Sequence, residues 1–285
     1  MYSFITVLSG VVLALMVAVN GELSAQFGVW GSSLIVQTIG TVFAFLLILA
    51  KREKLIIKTN ISKWYYLTGV ITASITVFQN AAFRHISMTS IIALGLVGQT
   101  IISLVIDQFG WFGMKKTAPS KSVLISLIFA VVGIGVMADG TISASLFAII
   151  LSLAAGVTIV LSRIFNAKIA ECTSILQGSF ISYFLGLPVV AVMAGITGEF
   201  SFDFGLNIAN SWMYLGGILG VLIVLMCNLT ALHVSVFKLT MLIFLGQAFT
   251  GMLLDILFQQ FSMDSSFWGG IIILIGVLIS KIADR

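Results

Sequence analysis

Long apolar runs, separated by short polar or turn-forming breaks, follow one another along almost the whole chain. Each run is long enough for a helix to cross a bilayer whose apolar core is about 30 Å thick. Runs such as 41–50 are apolar at every position, whereas a barrel strand alternates in polarity over about ten residues. The pattern predicts an all-α membrane protein with ten transmembrane helices, at 4–20, 32–50, 64–83, 89–109, 122–138, 145–166, 175–197, 211–231, 239–258 and 267–282.

The basic residues predict the orientation of these spans. Of the 14 lysines and arginines, all but Arg84 fall at the termini or in the loops that follow even-numbered spans. Cytoplasmic loops carry an excess of such residues. Both termini are therefore expected in the cytoplasm, and a miscounted span in the middle would have scrambled this distribution.

The chain repeats itself. A constant offset of 148 residues aligns spans three and four with spans eight and nine, and pairs Asn80 with Asn228 and Gln99 with Gln247. An offset of 146 aligns the first span with the sixth and pairs Gly10 with Gly156. Residues 1–142 and 143–285 are thus expected to form two five-helix repeats. Because five is odd, the second repeat would be inverted, an arrangement that places a transporter's substrate site near the midplane.

A polar stripe marks the fourth span. Gly95, Gln99, Ser103 and Asp107 recur every four residues and so share one helix face. The ninth span repeats the stripe with Gln247, Gly251 and Asp255. Gln99 and Gln247 lie near the centres of their spans and are the best candidates for substrate contact, with Ser103 beside the same pathway. The alternative is that these side chains hydrogen-bond neighbouring helices.

Three carboxylates are candidates for a gate or for ion coupling. Asp107 and Asp255 lie at opposite ends of the inverted repeats, too far apart to share a proton. Each could serve a gate at its own membrane face or cap a helix end. Glu22 is expected at the outer vestibule, where it could attract cations or be an ordinary interfacial charge.

Four asparagines and one arginine complete the predicted pathway. Asn20 and Asn166 end the first and sixth spans, and Asn80 and Asn228 close the third and eighth. These asparagines could line the pathway or cap helices. Arg163 lies three residues inside the predicted end of the sixth span, where it could contact substrate or extend to the membrane surface.

Composition and motifs exclude several function classes. The chain is 60% hydrophobic and 8% charged, and its net charge of +4 is placed in loops where it orients the protein and does not indicate nucleic acid. Cys172 and Cys227 form no metal-binding spacing, and His85 and His233 lack neighbouring ligands. No protease, esterase, nucleotide-binding or dinucleotide motif occurs. We therefore expect no catalytic residues, no metal and no cofactor.

Three motifs carry a family resemblance. They are the segment 19–23 with Gly40, the segment 166–169 with Gly186, and Gly98–Gln99 followed by Asp107. Together with ten spans in two halves, they resemble the YdcZ-like branch of the drug/metabolite transporter superfamily. The resemblance implies a fused pair of five-helix units, a central cavity walled by both halves, and alternating access. Arg163 and Lys168 have no basic counterpart in the first half.

These observations predict a multi-pass secondary transporter of the bacterial inner membrane. The cargo would be a small polar or amphipathic metabolite or drug, exported by a proton gradient or by its own gradient. Scarce charge near the midplane argues against a strongly charged cargo. Expected partners are a small-molecule substrate and the lipid bilayer, with homodimer formation left open. The alternative is a non-transporting membrane component, such as a structural partner or lipid-handling subunit, whose polar stripes only pack helices.

Overall fold

The computed structural model describes residues 2–53, 63–83, 85–86, 88–114, 116, 121–137, 146–199, 208–231, 233–257 and seven positions between 268 and 279. These residues contain α-helices and short 3-10 helices, and no strand occurs among them. The 3-10 helices are Lys63–Leu67, Trp111–Gly113 and Ile208–Leu215. The α-helices are α1 (Tyr2–Ala50), α2 (Thr68–Phe83), α3 (Met88–Phe109), α4 (Lys121–Met137), α5 (Leu146–Cys172), α6 (Ile175–Thr197), α7 (Gly216–Ala231) and α8 (Val236–Leu257).

The prediction of an all-α membrane protein agrees with the described helices. Four segments among them are long and apolar enough to cross a bilayer: Tyr2–Ala50, Leu146–Cys172, Ile175–Thr197 and Ser211–Ala231. The segments Leu94–Phe109 and Val236–Gly251 are shorter but also apolar. The count of ten spans and the cytoplasmic position of the termini stay predictions.

Helix α1 is two helices joined at a break. Its 49 residues would extend about 74 Å if straight, more than twice the apolar thickness of a bilayer. Gly28 interrupts it with φ 78° and ψ 179°, a conformation that glycine adopts without steric cost. We call residues 2–27 the first arm of α1 and residues 29–50 its second arm.

Two predicted span ends were wrong. The first span was expected to end at Asn20 and the sixth at Asn166, but the first arm of α1 continues to residue 27 and α5 continues to Cys172. Asn20 and Asn166 are 4% and 2% exposed. Their amides are therefore enclosed by other helices, which is why a polar break in the sequence did not end either helix.

Glycines allow two helix pairs to approach closely at matching positions. A Cβ atom on Gly10 would collide with the carbonyl oxygen of Ile243, and one on Gly156 would collide with the carbonyl oxygen of Gly95. The first contact joins the first arm of α1 to α8, and the second joins α5 to α3. Gly10 aligns with Gly156, and Gly95 aligns with Ile243 at the offset of 148. The same kind of crossing therefore occurs twice, and each time it joins a helix of the first half to a helix of the second.

A second crossing is also duplicated. A Cβ on Gly69 of α2 would lie 2.7 Å from the backbone nitrogen of Gly186 in α6. A Cβ on Gly217 of α7 would lie 2.7 Å from the backbone nitrogen of Gly40 in the second arm of α1. Gly69 aligns with Gly217, and Gly186 aligns with Gly40. These backbone contacts hold the helices that surround the centre of the protein.

Candidate functional site

A cavity of about 70 Å³ lies between helices from both halves of the sequence. Both arms of α1 contribute to its wall, together with α2, α5, α6 and α7. The lining residues are Leu13, Met16, Val36, Thr72, Ile75, Thr76, Ile159, Ser162, Arg163, Asn166, Tyr183, Gly220, Ile223, Val224, Cys227 and Asn228. Three of the predicted pathway residues, Arg163, Asn166 and Asn228, are among them.

One wall of the cavity carries a buried network of hydrogen bonds. The hydroxyl of Thr72 lies 2.8 Å from that of Ser162 and 2.7 Å from that of Ser182. Asn166 Nδ2 donates to Ser162 Oγ at 3.2 Å, and Thr68 Oγ1 donates to Asn166 Oδ1 at 2.7 Å. The network ties α2, α5 and α6 together and pairs the hydroxyls and the amide that form it.

The cavity also has an apolar wall, because the positions that align with these hydroxyl residues lack hydroxyls. Met16 aligns with Ser162, Val36 with Ser182, and Gly220 with Thr72, and these three residues all line the cavity. The cavity therefore has one polar and one apolar wall.

A polar group is also missing one helical turn beyond the residues that line the cavity. Thr68 is replaced at its aligned position by Gly216, so the aligned amide, Asn20, has no hydroxyl beside it. Oδ1 of Asn20 is buried against Gly216 and has no hydrogen-bond partner. Asn20 is not among the residues that line the cavity.

Arg163 is the cation of the cavity wall and is only 7% exposed. Its Nη1 donates to Oε1 of Gln99 at 2.9 Å, and its Nη2 is buried without a hydrogen-bond partner. The thiol of Cys227 lies beside the same guanidinium. The one ion pair formed among the described residues, Lys168 with Glu171 at 3.1 Å, does not involve Arg163.

The alternative in which Arg163 extends to the membrane surface was wrong. Nine residues of α5 separate it from Cys172, which is about 14 Å along the helix axis. Its guanidinium points to Gln99 of α3 and is enclosed by protein. The error follows from the misplaced end of the sixth span.

The two glutamines and Ser103 lie at contacts between helices. Gln99 and Gln247 are each 3% exposed, and neither lines the cavity. Gln99 instead lies behind Arg163 and holds it. Ser103 Oγ lies 3.0 Å from Thr240 Oγ1 and joins α3 to α8. Whether these residues contact substrate during transport stays a prediction.

The asparagines near the ends of α2 and α7 have different surroundings. Asn80 Nδ2 donates to Ser32 Oγ at 2.8 Å and to Ser33 Oγ at 3.2 Å, which ties α2 to the second arm of α1. Asn228 lines the cavity and donates to the carbonyl of Ile175 at 3.4 Å, while its Oδ1 is buried without a partner. The cavity wall thus includes a free amide oxygen as well as a free guanidinium nitrogen.

The candidate gate residues are placed as follows. Asp107 Oδ2 accepts a hydrogen bond from the Phe237 N–H at 3.0 Å and so caps the first turn of α8. Glu22 is exposed on the first arm of α1. The side chain of Asp255 lies outside the described residues. A gating or coupling role for these carboxylates stays a prediction.

Sequence reasoning missed two glutamates that connect the halves. Glu199 Oε2 accepts hydrogen bonds from the N–H groups of Trp30 at 2.7 Å and Gly31 at 3.2 Å, at the start of the second arm of α1. Glu53 Oε2 accepts a hydrogen bond from the hydroxyl of Ser174, the N-cap of α6, at 2.6 Å. The repeat in the sequence could have indicated these two residues, because Glu53 and Glu199 align at the offset of 146.

Among the described residues, no group of three or more His, Cys, Asp or Glu side chains could hold a metal ion. The chemistry of the cavity is therefore that of one guanidinium, several amides and hydroxyls, and an apolar surface. Such an arrangement can bind and orient a small molecule.

A family profile described as "Putative inner membrane exporter, YdcZ" matches residues 1–136 and again residues 147–279. The chain belongs to the YdcZ-like family. Its two matched parts make it a two-repeat member of that family within the drug/metabolite transporter superfamily. The YdcZ-like chain is accordingly an integral membrane protein of a transporter kind and not of an enzyme kind.

The fold of this YdcZ-like chain is also found among solved structures. A chain described only as the crystal structure of a protein shares 14% sequence identity and superposes with a TM-score of 0.66. The match covers 99% of this chain and 96% of the other. At this identity the likeness shows the fold alone. No curated protein matches the chain in sequence.

Proposed function

We propose that this YdcZ-like protein is a secondary transporter that exports a small polar or amphipathic molecule by alternating access. The observation that carries the proposal is the cavity, because its wall is built from aligned helices of both halves. A site between two repeats can open to either membrane face when one repeat moves against the other.

Two features support an inverted arrangement of the halves. Two close helix crossings each occur twice, at Gly10 and Gly156 and at Gly69 and Gly217, and every one joins a helix of the first half to a helix of the second. Five spans per half would place the second half in the opposite orientation. The two glutamate contacts then lie at opposite ends of the protein, Glu199 at the outer end and Glu53 at the cytoplasmic end.

The cavity is small for a transport site. Its volume of about 70 Å³ is well below the roughly 300–1,000 Å³ of pockets that hold drug-sized ligands. Cargo can therefore enter only if the helices separate. In an alternating-access cycle, the Glu199 and Glu53 contacts would break in turn, one at each face.

Export can be tested before the cargo is identified. Cells expressing the protein are compared with cells expressing Ile223→Trp by measuring the small molecules that accumulate in the medium. Ile223 lines the cavity and is 7% exposed, so an indole there fills the site. Leu222 is the matched control because it is adjacent on α7, is 37% exposed and does not line the cavity.

We expect at least one compound to accumulate with the wild type and with Leu222→Trp, but not with Ile223→Trp. Ile223→Ala, which enlarges the cavity, should retain export and shows that the position tolerates change. The proposal would be contradicted if the same small molecules accumulated in the medium with the wild type and with Ile223→Trp, both proteins being folded in the membrane. Uptake into vesicles with and without a pH gradient then tests proton coupling.

One observation favours the alternative function of a non-transporting component. Gln99 and Ser103, two of the predicted pathway residues, make hydrogen bonds between helices. Such bonds stabilise membrane bundles whether or not they transport. The alternative predicts that blocking the cavity leaves the medium unchanged, so the same experiment decides between the two.

A further inference from the structure

The unpaired guanidinium nitrogen in the cavity wall indicates what kind of cargo the cavity holds. We infer that the cavity binds a small amphipathic organic acid as its anion, with the carboxylate on Arg163 and the apolar part against Met16, Val36 and Gly220. The inference rests on the proposed transport function and names the class of its substrate.

The first step of the argument is electrostatic. An arginine side chain stays protonated in proteins. A charge enclosed in a membrane protein is costly unless an opposite charge accompanies it, and such residues are usually functional. Arg163 is 7% exposed, and the groups beside its guanidinium, the amide of Gln99 and the thiol of Cys227, are neutral. Among the described residues no carboxylate pairs with it, so a bound anion would supply the missing charge.

The second step is geometric. Nη1 of Arg163 is held by Gln99, while Nη2 is buried without a partner and Arg163 lines the cavity. Gln99 thus fixes the planar guanidinium and leaves donors available to a ligand. A carboxylate can pair with such a planar donor group through two parallel N–H···O hydrogen bonds. Oδ1 of Asn228, on α7, offers a free acceptor in the cavity lining to a cargo that carries an N–H or O–H group.

The third step concerns the number of charges and the shape of the cargo. The position aligned with Arg163 is Val17, so the repeat supplies one cation and not two. A single guanidinium matches a single negative charge, in agreement with the expectation that the cargo is not strongly charged. The apolar wall formed by Met16, Val36 and Gly220 then contacts the hydrocarbon part of the acid.

Ligand binding to the purified full-length protein tests the inference. The probes are acetate, isovalerate and benzoate, each compared with its neutral amide, and binding is measured as the rise in thermal stability with probe concentration. We expect the carboxylates with a hydrocarbon part to stabilise the protein and the amides to have much weaker effects. This comparison uses the wild type alone and does not depend on a variant that folds.

Two variants then locate the site. Arg163→Gln should weaken carboxylate binding by roughly tenfold to a hundredfold, which is the size expected when a hydrogen bond to a charged group is lost. Lys168→Gln removes the same charge from a residue that lies on the same helix but does not line the cavity, and it should bind like the wild type. Arg163→Lys keeps the charge but not the planar donor group, and it should show intermediate affinity.

The inference is overturned if carboxylates and amides act equally, or if folded Arg163→Gln binds the carboxylates as the wild type does. Its failure can be separated from failure of the transport proposal. Export that depends on Ile223 but concerns neutral or cationic compounds would contradict the organic-acid cargo and still support the transport proposal. Carboxylate binding that depends on Arg163, without any export that depends on Ile223, would support the binding site for the acid and contradict the transport proposal.

Discussion

Arg163 donates through Nη1 to Oε1 of Gln99 at 2.9 Å, so a cation on α5 is held by an amide on α3. Both residues were predicted to lie on the substrate pathway, with extension to the membrane surface as the alternative for Arg163 and a helix contact as the alternative for Gln99. Their pairing changes both interpretations. Gln99 positions the guanidinium, and Arg163 is the member of the pair that reaches the cavity.

The pair predicts unequal effects of two equivalent substitutions. Gln99→Leu leaves the Nη1 donor of Arg163 buried without an acceptor and should lower the free energy of unfolding by about 1–3 kcal/mol. Gln247→Leu is the matched control, because Gln247 occupies the aligned position of a repeat whose arginine is replaced by Val17. Gln247→Leu should lower the free energy of unfolding by less than Gln99→Leu does. Thermal unfolding of both variants in the same detergent measures the difference, and equal losses would contradict the role given to Gln99.

Replacing Gln99 by Glu should have the opposite effect on stability. The carboxylate would pair with Arg163 in place of a ligand, so Gln99→Glu should fold at least as stably as the wild type but lose its response to isovalerate. The thermal shift with and without isovalerate tests this. A Gln99→Glu protein that still responds to isovalerate would show that the bound acid does not use the charge of Arg163.

The close crossing of α3 and α5 predicts which glycines tolerate a methyl group. A Cβ on Gly156 would lie 2.9 Å from the backbone nitrogen of Gln99 and would also collide with the Gly95 carbonyl, so Gly156→Ala must separate the helices. Gly195 of α6 has no atom within 4 Å of that position. Gly195→Ala should be neutral or slightly stabilising, since alanine favours helix by up to about 1 kcal/mol. The yield and melting temperature of folded protein compare the two, and similar behaviour would disprove the contact.

The contact made by Glu199 predicts a local effect at the break in α1. Glu199→Gln keeps an oxygen acceptor but loses the charge, and Glu199→Ala loses the cap for the N–H groups of Trp30 and Gly31. Losing a helix cap typically costs about 0.5–2 kcal/mol. We expect faster hydrogen exchange at these two amides in Glu199→Ala, and no change in Glu22→Gln, whose side chain is exposed. Unchanged exchange in Glu199→Ala would show that the cap does not order this turn.

The distribution of basic residues predicts which face of the protein each loop reaches. In a variant without native cysteines, Glu22→Cys should react in intact cells with a maleimide that cannot cross the membrane. Glu171→Cys should react only after the membrane is opened, because α5 is expected to end in the cytoplasm. Both side chains are exposed in the structure, so access is decided by topology. The reverse pattern would invert the predicted orientation.

The class of the fold could be predicted from the sequence because apolar runs in a bilayer have few structural solutions. The family was also within reach, since its motifs are local and lie at two fixed offsets. The aligned glycines at 10 and 156 indicated a repeat, and the structure places both at the same kind of helix crossing. These properties depend on residue type and spacing, which can be read without coordinates.

The ends of α1 and α5 and the lining of the cavity could not be read in this way. A buried amide and an amide at the membrane surface look alike in sequence, so Asn20 and Asn166 were taken for helix ends. Whether Gln99 faces the cavity or holds Arg163 depends on how α3 lies against α5. The network of Thr72, Ser162 and Ser182 had no sequence signal, because single hydroxyls occur throughout membrane helices.

The sequence by itself determined that this protein is a helical membrane protein with two related halves, because hydrophobic length and repeat spacing are properties of the chain. Only the tertiary structure decided which polar groups meet. The pairing of Arg163 with Gln99, and the polar and apolar walls of the cavity, arise from contacts between residues far apart in sequence. Such contacts depend on helix rotation and crossing, which the periodicity of one helix does not specify.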